Sequence, residues 1–177
     1  MTRALALVGL PLALAACAGV GATRVGPVDV HGGYIYAEAA AVAPAMPLEV
    51  RGTPPDGSTT EAVAAAMRMP AGLGGRPFVA AVPDPRGPRV TLAFGAAATI
   101  APCAPAEAAP PAAAGAPLRA GLAWCWGPRT LSQVSLVSAE TAGPGDTRFG
   151  PVMAQALGEL FPTQNFQDDG PRSIWVP

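Results

Sequence analysis

The chain has 177 residues, with eleven basic and twelve acidic side chains and one histidine, for a net charge of −1. Glycine and proline number 21 and 22, aromatic residues make up 6% and charged residues 13%, a length and composition that suit one domain with low-complexity segments. Every basic residue is arginine and none of them forms a stripe, which excludes an ordinary nucleic-acid binder; one histidine and three cysteines exclude a multi-ligand zinc site, and no cofactor or metal is expected.

At the N-terminus Arg3 precedes an apolar stretch from Ala4 to Ala16. It is too short to span a bilayer, which takes about 20 residues, and it fits the apolar region of an export signal. The stretch ends Leu14-Ala15-Ala16-Cys17. These residues resemble the lipobox of bacterial lipoproteins, with Leu at −3, small residues at −2 and −1, and Cys at +1. The resemblance covers the first 17 residues. It implies that residues 1–16 are a signal peptide and that Cys17 carries a diacylglycerol thioether and an N-acyl chain. Its partner is then the membrane, because two or three acyl chains hold a protein stably on a bilayer. Ala18 stands where Asp signals retention at the inner membrane. The resemblance therefore implies the periplasmic face of the outer membrane, with the inner membrane as the alternative.

With Cys17 acylated, Cys103 and Cys125 remain. An even remainder in an exported chain predicts a disulfide, because that compartment is oxidising. In the chain-entropy picture such a bond stabilises by about 3 kcal/mol. Two unpaired buried thiols are the alternative. No Cys-x-x-Cys motif is present, and neither Cys has a His or Lys beside it to lower its pKa.

Residues 17–32 read as the lipidated Cys followed by a Gly-rich flexible tether, and 33–162 as a single domain. Val28, Val30 and Tyr34-Ile35-Tyr36 begin a strand, while the Ala-rich 37–46 is ambiguous. Pro47-Leu48-Glu49-Val50 is a short strand stopped by the turn residues 52–57. Ser58-Thr59-Thr60-Glu61 is a capping box with Ser58 as the cap. It starts a helix of about three turns, with Val63, Ala66 and Met67 on one face and Pro70 at its end. Phe78 to Val82 is a strand and 83–88 a turn. Arg89 to Gly95 alternates, with Val90, Leu92 and Phe94 facing one way and Arg89, Thr91 and Ala93 the other, a half-buried strand. Residues 101–117 are a Pro/Ala-rich loop.

Leu118 to Gly127 resumes the alternation. Leu118, Ala120, Leu122, Trp124 and Trp126 share a face, and Cys125 lies on the opposite one. A Cys103–Cys125 bond would tie the neck of a hairpin there. Thr130 to Ala139 is the next strand. Phe149 to Phe161 is a helix whose Phe149, Val152, Met153, Ala156, Leu157, Leu160 and Phe161 form one apolar stripe. Residues 163–177 are a polar C-terminal tail. The order β-β-α-β-β-β-β-α predicts an α+β fold: an antiparallel sheet of about 4–6 strands with two helices packed on one face. The spacing does not suit repeated parallel βαβ units.

Candidate chemistry is sparse. His31 is near Asp29, but no second His or carboxylate cluster accompanies it, and it reads as a tether residue. Asp168 and Asp169 read as a solvated turn. Gly72-Leu73-Gly74-Gly75 lacks the spacing and the Lys of a phosphate-binding loop. Trp124 and Trp126 read as core against the 149–161 stripe. No catalytic residue is assigned, and no ligand-binding residue can be named. The body over about 45–162, with its capped helix, Arg-Val-Thr-Leu-Ala-Phe strand, Cys103, Cys125 and Leu-Phe-Pro helix end, resembles small uncharacterised lipoproteins of GC-rich Gram-negative bacteria. That resemblance implies no activity. The expected function is a non-enzymatic, membrane-anchored periplasmic lipoprotein in envelope assembly, scaffolding or interaction with another envelope protein. The alternatives are a carrier of lipid or another apolar ligand between sheet and helix and, less favoured, an envelope hydrolase.

Overall fold

A computed structural model describes residues 23–80, 84–95, 102–104, 113 and 115–163. The expected signal peptide 1–16, Cys17, most of the 101–117 loop, residues 81–82 of the strand expected at 78–82, and Phe166, Asp168, Asp169 and Trp175 of the tail lie outside the described residues.

Alternating apolar residues build the centre of the sheet. Strands β5 (Pro88–Phe94), β6 (Leu118–Trp126) and β7 (Arg129–Ser138) are antiparallel neighbours. Directly opposed residues point to the same face of a sheet, so the registers collect the core into rows. Val90 opposes Trp124, Leu92 opposes Leu122 and Phe94 opposes Ala120. Leu122 continues to Val134 and Ala120 to Leu136. Trp124 pairs with Ser132 and Cys125 with Thr130, which leaves Leu131 as the extra residue of a β-bulge.

Residues 23–32 are not a tether. β1 (Thr23–Val25) and β2 (Asp29–Val30) both run antiparallel to β7 and form one interrupted edge. Gly-rich composition suggested flexibility, but Val25 and Val30 alternate onto the core and the backbone pairs with β7. The gap falls at Gly26-Pro27-Val28: proline has no N–H for the ladder. Gly26 still donates its N–H to the Ser135 carbonyl at 2.8 Å, and a Cβ there would collide with the Ser135 hydroxyl.

The expected strand at Tyr34-Ile35-Tyr36 is replaced by a turn and helix α1 (Tyr36–Val42). The Ala-rich run favours helix, and Ala39 and Ala43 bury against the core. β3 (Pro47–Arg51) follows, then α2 (Thr60–Ala66) and β4 (Val79–Ala80). α2 has seven residues, about two turns rather than three, and its cap is Thr59, not Ser58. The Thr59 hydroxyl accepts from the Ala62 N–H at 3.3 Å, while the Ser58 hydroxyl donates to Asp56 at 2.8 Å. Asp56 thus captures the residue expected to cap, and the cap moves one position on.

The sheet order is β1–β7–β6–β5–β3–β4, with β2 also on β7. It is an α+β fold with a mostly antiparallel sheet, but β3 is parallel to both β5 and β4. Returning parallel to β3 requires a crossover, which α2 supplies. Helix α3 (Phe149–Leu160) presents the expected stripe: Phe149, Val152, Met153, Ala156, Leu157 and Leu160 are all buried. Among the described residues there are three α-helices, one more than expected, and all contribute to a single apolar cluster with Leu48, Val90, Leu92, Leu122 and Trp124.

Candidate functional site

The opposite face of the sheet carries the predicted cysteine pair. Because Trp124 points into the core, Cys125 points outward, and it is bonded to Cys103 with a Cα–Cα separation of 5.6 Å. Both cysteines are buried, forming with Ala123 a second small cluster apart from the main core. The Cys103 segment therefore closes over the outer face of β5 and β6.

A cation seals the same place. Arg89 opposes Cys125 across β5 and β6 and is 2% exposed. Its Nε donates to Glu49 Oε2 at 2.7 Å, Nη1 to the Gly127 carbonyl at 2.8 Å and Nη2 to the Cys103 carbonyl at 2.9 Å. Arg51 Nε donates to the other Glu49 oxygen at 2.7 Å. One guanidinium thus joins β3, the β6–β7 turn and the disulfide segment. Its charge is answered by a carboxylate and its donors by carbonyls, the condition under which a buried charge is tolerated. With Nε, Nη1 and Nη2 all donating, this group holds three segments in place. β5 is buried on both faces, not half-buried: Arg89, Thr91 and Ala93 are buried as well as Val90, Leu92 and Phe94, and Thr91 Oγ1 lies 3.4 Å from Cys125 Sγ. Alternation placed Arg89 and Cys125 on one face, but only the β5–β6 register brings them opposite each other.

At the far end of β6 and β7 lies a cleft of about 310 Å³, lined by Gly115, Pro117, Glu140, Thr141, Asp146 and Arg148 among others. Two of its charges engage each other: Arg148 Nη2 donates to Asp146 Oδ2 at 3.0 Å and Nε to Oδ1 at 3.3 Å. Hydrogen bonds from the Arg148 side chain hold the Asp146 carboxyl below its usual range. The Thr141 hydroxyl donates to the Gly143 carbonyl at 3.1 Å. Asp56 braces the loop from beneath, accepting from the Gly145 N–H at 3.1 Å and from the Ser58 N–H at 3.0 Å. Burial pushes the Asp56 carboxyl up, but the Ser58 and Gly145 hydrogen bonds outweigh it and hold it low. Asp56 also explains Gly143, where a Cβ would collide with its carboxylate. Neither Asp56 nor this loop carried a sequence signal beyond turn composition.

His31 is held at the sheet edge rather than on a tether. Its backbone N–H donates to the Leu131 carbonyl at 2.9 Å, and its Nε2 lies 3.4 Å from Asp29 Oδ2. Asp29 also accepts from Gln133 Nε2 at 2.9 Å. The proximity of His31 and Asp29 in sequence thus survives in space. Among the described residues no group of three or more His, Cys, Asp or Glu side chains gathers to hold a metal ion.

Trp124 and Trp126 do contact each other, edge to face at 6.4 Å, but differ in environment. Trp124 is fully buried with the Phe161 ring 5.9 Å away, whereas Trp126 at the strand end is 41% exposed. Phe161 therefore fills the space beside Trp124 that an apolar ligand between sheet and helix would use. Compared with known proteins, the chain matches no protein-family model, no curated protein and no solved structure.

Proposed function

We propose that this protein is an exported envelope lipoprotein, anchored by acyl chains on Cys17 at the periplasmic face of the outer membrane, and that it acts by contact with another envelope protein rather than by catalysis. The observation that carries the reading is the Leu14-Ala15-Ala16-Cys17 segment, which ends six residues before Thr23, the first strand residue among the described residues. A lipobox directly ahead of a body is the arrangement an anchored protein needs: the leader is removed and the acylated Cys becomes the first residue. The Cys103–Cys125 bond supports it, since such bonds persist in oxidising compartments.

The test is the mass of the N-terminal peptide from protein made in its own host. A diacylglyceryl, N-acylated Cys17 is expected, and Cys17→Ser should abolish the added mass. An unmodified peptide beginning elsewhere would overturn the anchored reading. Cross-linking the native protein in intact cells should then capture one stoichiometric envelope protein. A monomer with no cross-linked neighbour would overturn the interaction role.

A further inference from the structure

The end of the sheet where the chain enters the body carries a second feature. Thr23 opposes Ser138, and Ser138 opposes Leu118, so the start of β1, the end of β7 and the start of β6 share one row. The next row is Arg24–Val137–Arg119, on the outer face. Arg24 and Arg119 are exposed, and Val137 between them is 36% exposed. Adjacent strands lie about 4.8 Å apart, so the two arginine backbones are about 10 Å apart across β7. Among the described residues neither arginine has a carboxylate within 4.0 Å. The described carboxylates near this end, Glu140 and Asp146, line the neighbouring cleft, and Asp146 is taken by Arg148.

Cys17 precedes Thr23 by six residues, a span that reaches at most about 20 Å when fully extended. We propose that the Arg24–Val137–Arg119 row binds the phosphates of anionic phospholipid headgroups in the membrane that holds the acyl anchor. This rests on the lipid-anchored reading, which keeps this row within that reach of the surface. Guanidinium groups suit the task because their planar fork matches phosphate oxygens. The exposed Val137 adds a small apolar contact and brings no competing charge. Lipid anchoring makes the contact effectively intramolecular, so two arginines suffice to select an orientation that free protein in solution would scarcely hold. The outer face would then lie toward the bilayer at this end.

The test uses full-length protein extracted from host membranes, with its intact mass recorded before reconstitution. Val137→Cys carries an environment-sensitive fluorophore, and Ser135→Cys, one row further along the same face, carries it in a second preparation. The Cys103–Cys125 bond is verified by peptide mapping in both. Vesicles are neutral phosphatidylcholine, or phosphatidylcholine with phosphatidylglycerol, each doped with a headgroup-located quencher. Quenching at position 137 is expected in anionic vesicles, weaker at 135, and lost at high salt. Arg24→Gln with Arg119→Gln should lower the docked-to-undocked ratio about twenty-five-fold, since each basic residue near an anionic surface contributes about fivefold. Acylated protein with equal quenching in neutral and anionic vesicles, or none in either, overturns the headgroup contact alone. Protein lacking the acyl mass overturns the anchored reading and this contact with it.

Discussion

Arg89 shows how much one side chain can organise. Its guanidinium satisfies Glu49, Cys103 and Gly127 from three separate segments. Removing it leaves carbonyls unpaired under cover, although Glu49 keeps Arg51 at 2.7 Å. Arg89→Met should therefore destabilise by about 3 kcal/mol, the lower end for breaking a buried pair, as read from a shifted denaturant midpoint. Arg89→Lys should recover only part of the loss, because an ammonium cannot reach a carboxylate and two carbonyls in one plane. Tyr34 makes a different contribution. It is 1% exposed and its hydroxyl donates to the Pro162 carbonyl at 2.8 Å, just beyond the end of α3. Burial, with the nearby Tyr36 adding to it, pushes its ionisation well above the usual tyrosine value. An unfolded tyrosine ionises near pH 10 while the folded one stays protonated, so this stability is complete below about pH 10 and falls as pH rises further. Tyr34→Phe should cost about 1 kcal/mol at neutral pH through the lost hydrogen bond, and should flatten the alkaline decline measured by chemical denaturation across pH.

The helices α2 and α3 are held by different means. α3 is specified by its own stripe, and the carbonyl of its last residue is met by the sheet: the Ser132 hydroxyl donates to the Leu160 carbonyl at 2.6 Å. α2 is short and depends on its cap and its place between β3 and β4. Because Thr59 is the acceptor, Thr59→Ala should cost about 1 kcal/mol. Ser58→Ala should cost less, since the Asp56 carboxylate retains the Ser58 and Gly145 N–H groups. Equal losses in thermal or urea unfolding would return the cap to Ser58. The interrupted β1/β2 edge also has a consequence. Pro27 breaks the row of free donors along the outer edge, which discourages pairing with another chain.

For the whole molecule, the sheet is covered twice. Helices cover one face with the main core, and the disulfide-bonded segment covers part of the other with a small one. With Cys103 1% and Cys125 0% exposed, reductant has no access in the folded state. The bond should survive a thiol reductant in native buffer and be cleaved once urea unfolds the chain. The reduced protein should be less stable by about 3 kcal/mol, because the loop of 22 residues is no longer closed in the unfolded ensemble. Free thiols appearing at the same rate with and without denaturant would show that the segment opens locally instead.

Local chemistry sufficed for some of this. The α3 stripe, the alternation along much of β6 and β7 and the opposite facing of Trp124 and Cys125 were legible in the sequence, because side-chain period and burial coincide in those stretches; β5 was legible as a strand, but not its burial on both faces. The pairing of Cys103 with Cys125 was legible by counting, and the structure agrees. Tertiary structure decided the rest. Glycines suggested a free tether over 23–32, but an open β7 edge was available to pair with it. Ser58 fitted a cap until Asp56 competed for its hydroxyl. The parallel placement of β3 depends on which edge α2 returns to, and no local pattern carries that information. Arg89 looked like a solvent-side strand residue because alternation assigns faces, whereas burial is set by what another segment lays across them.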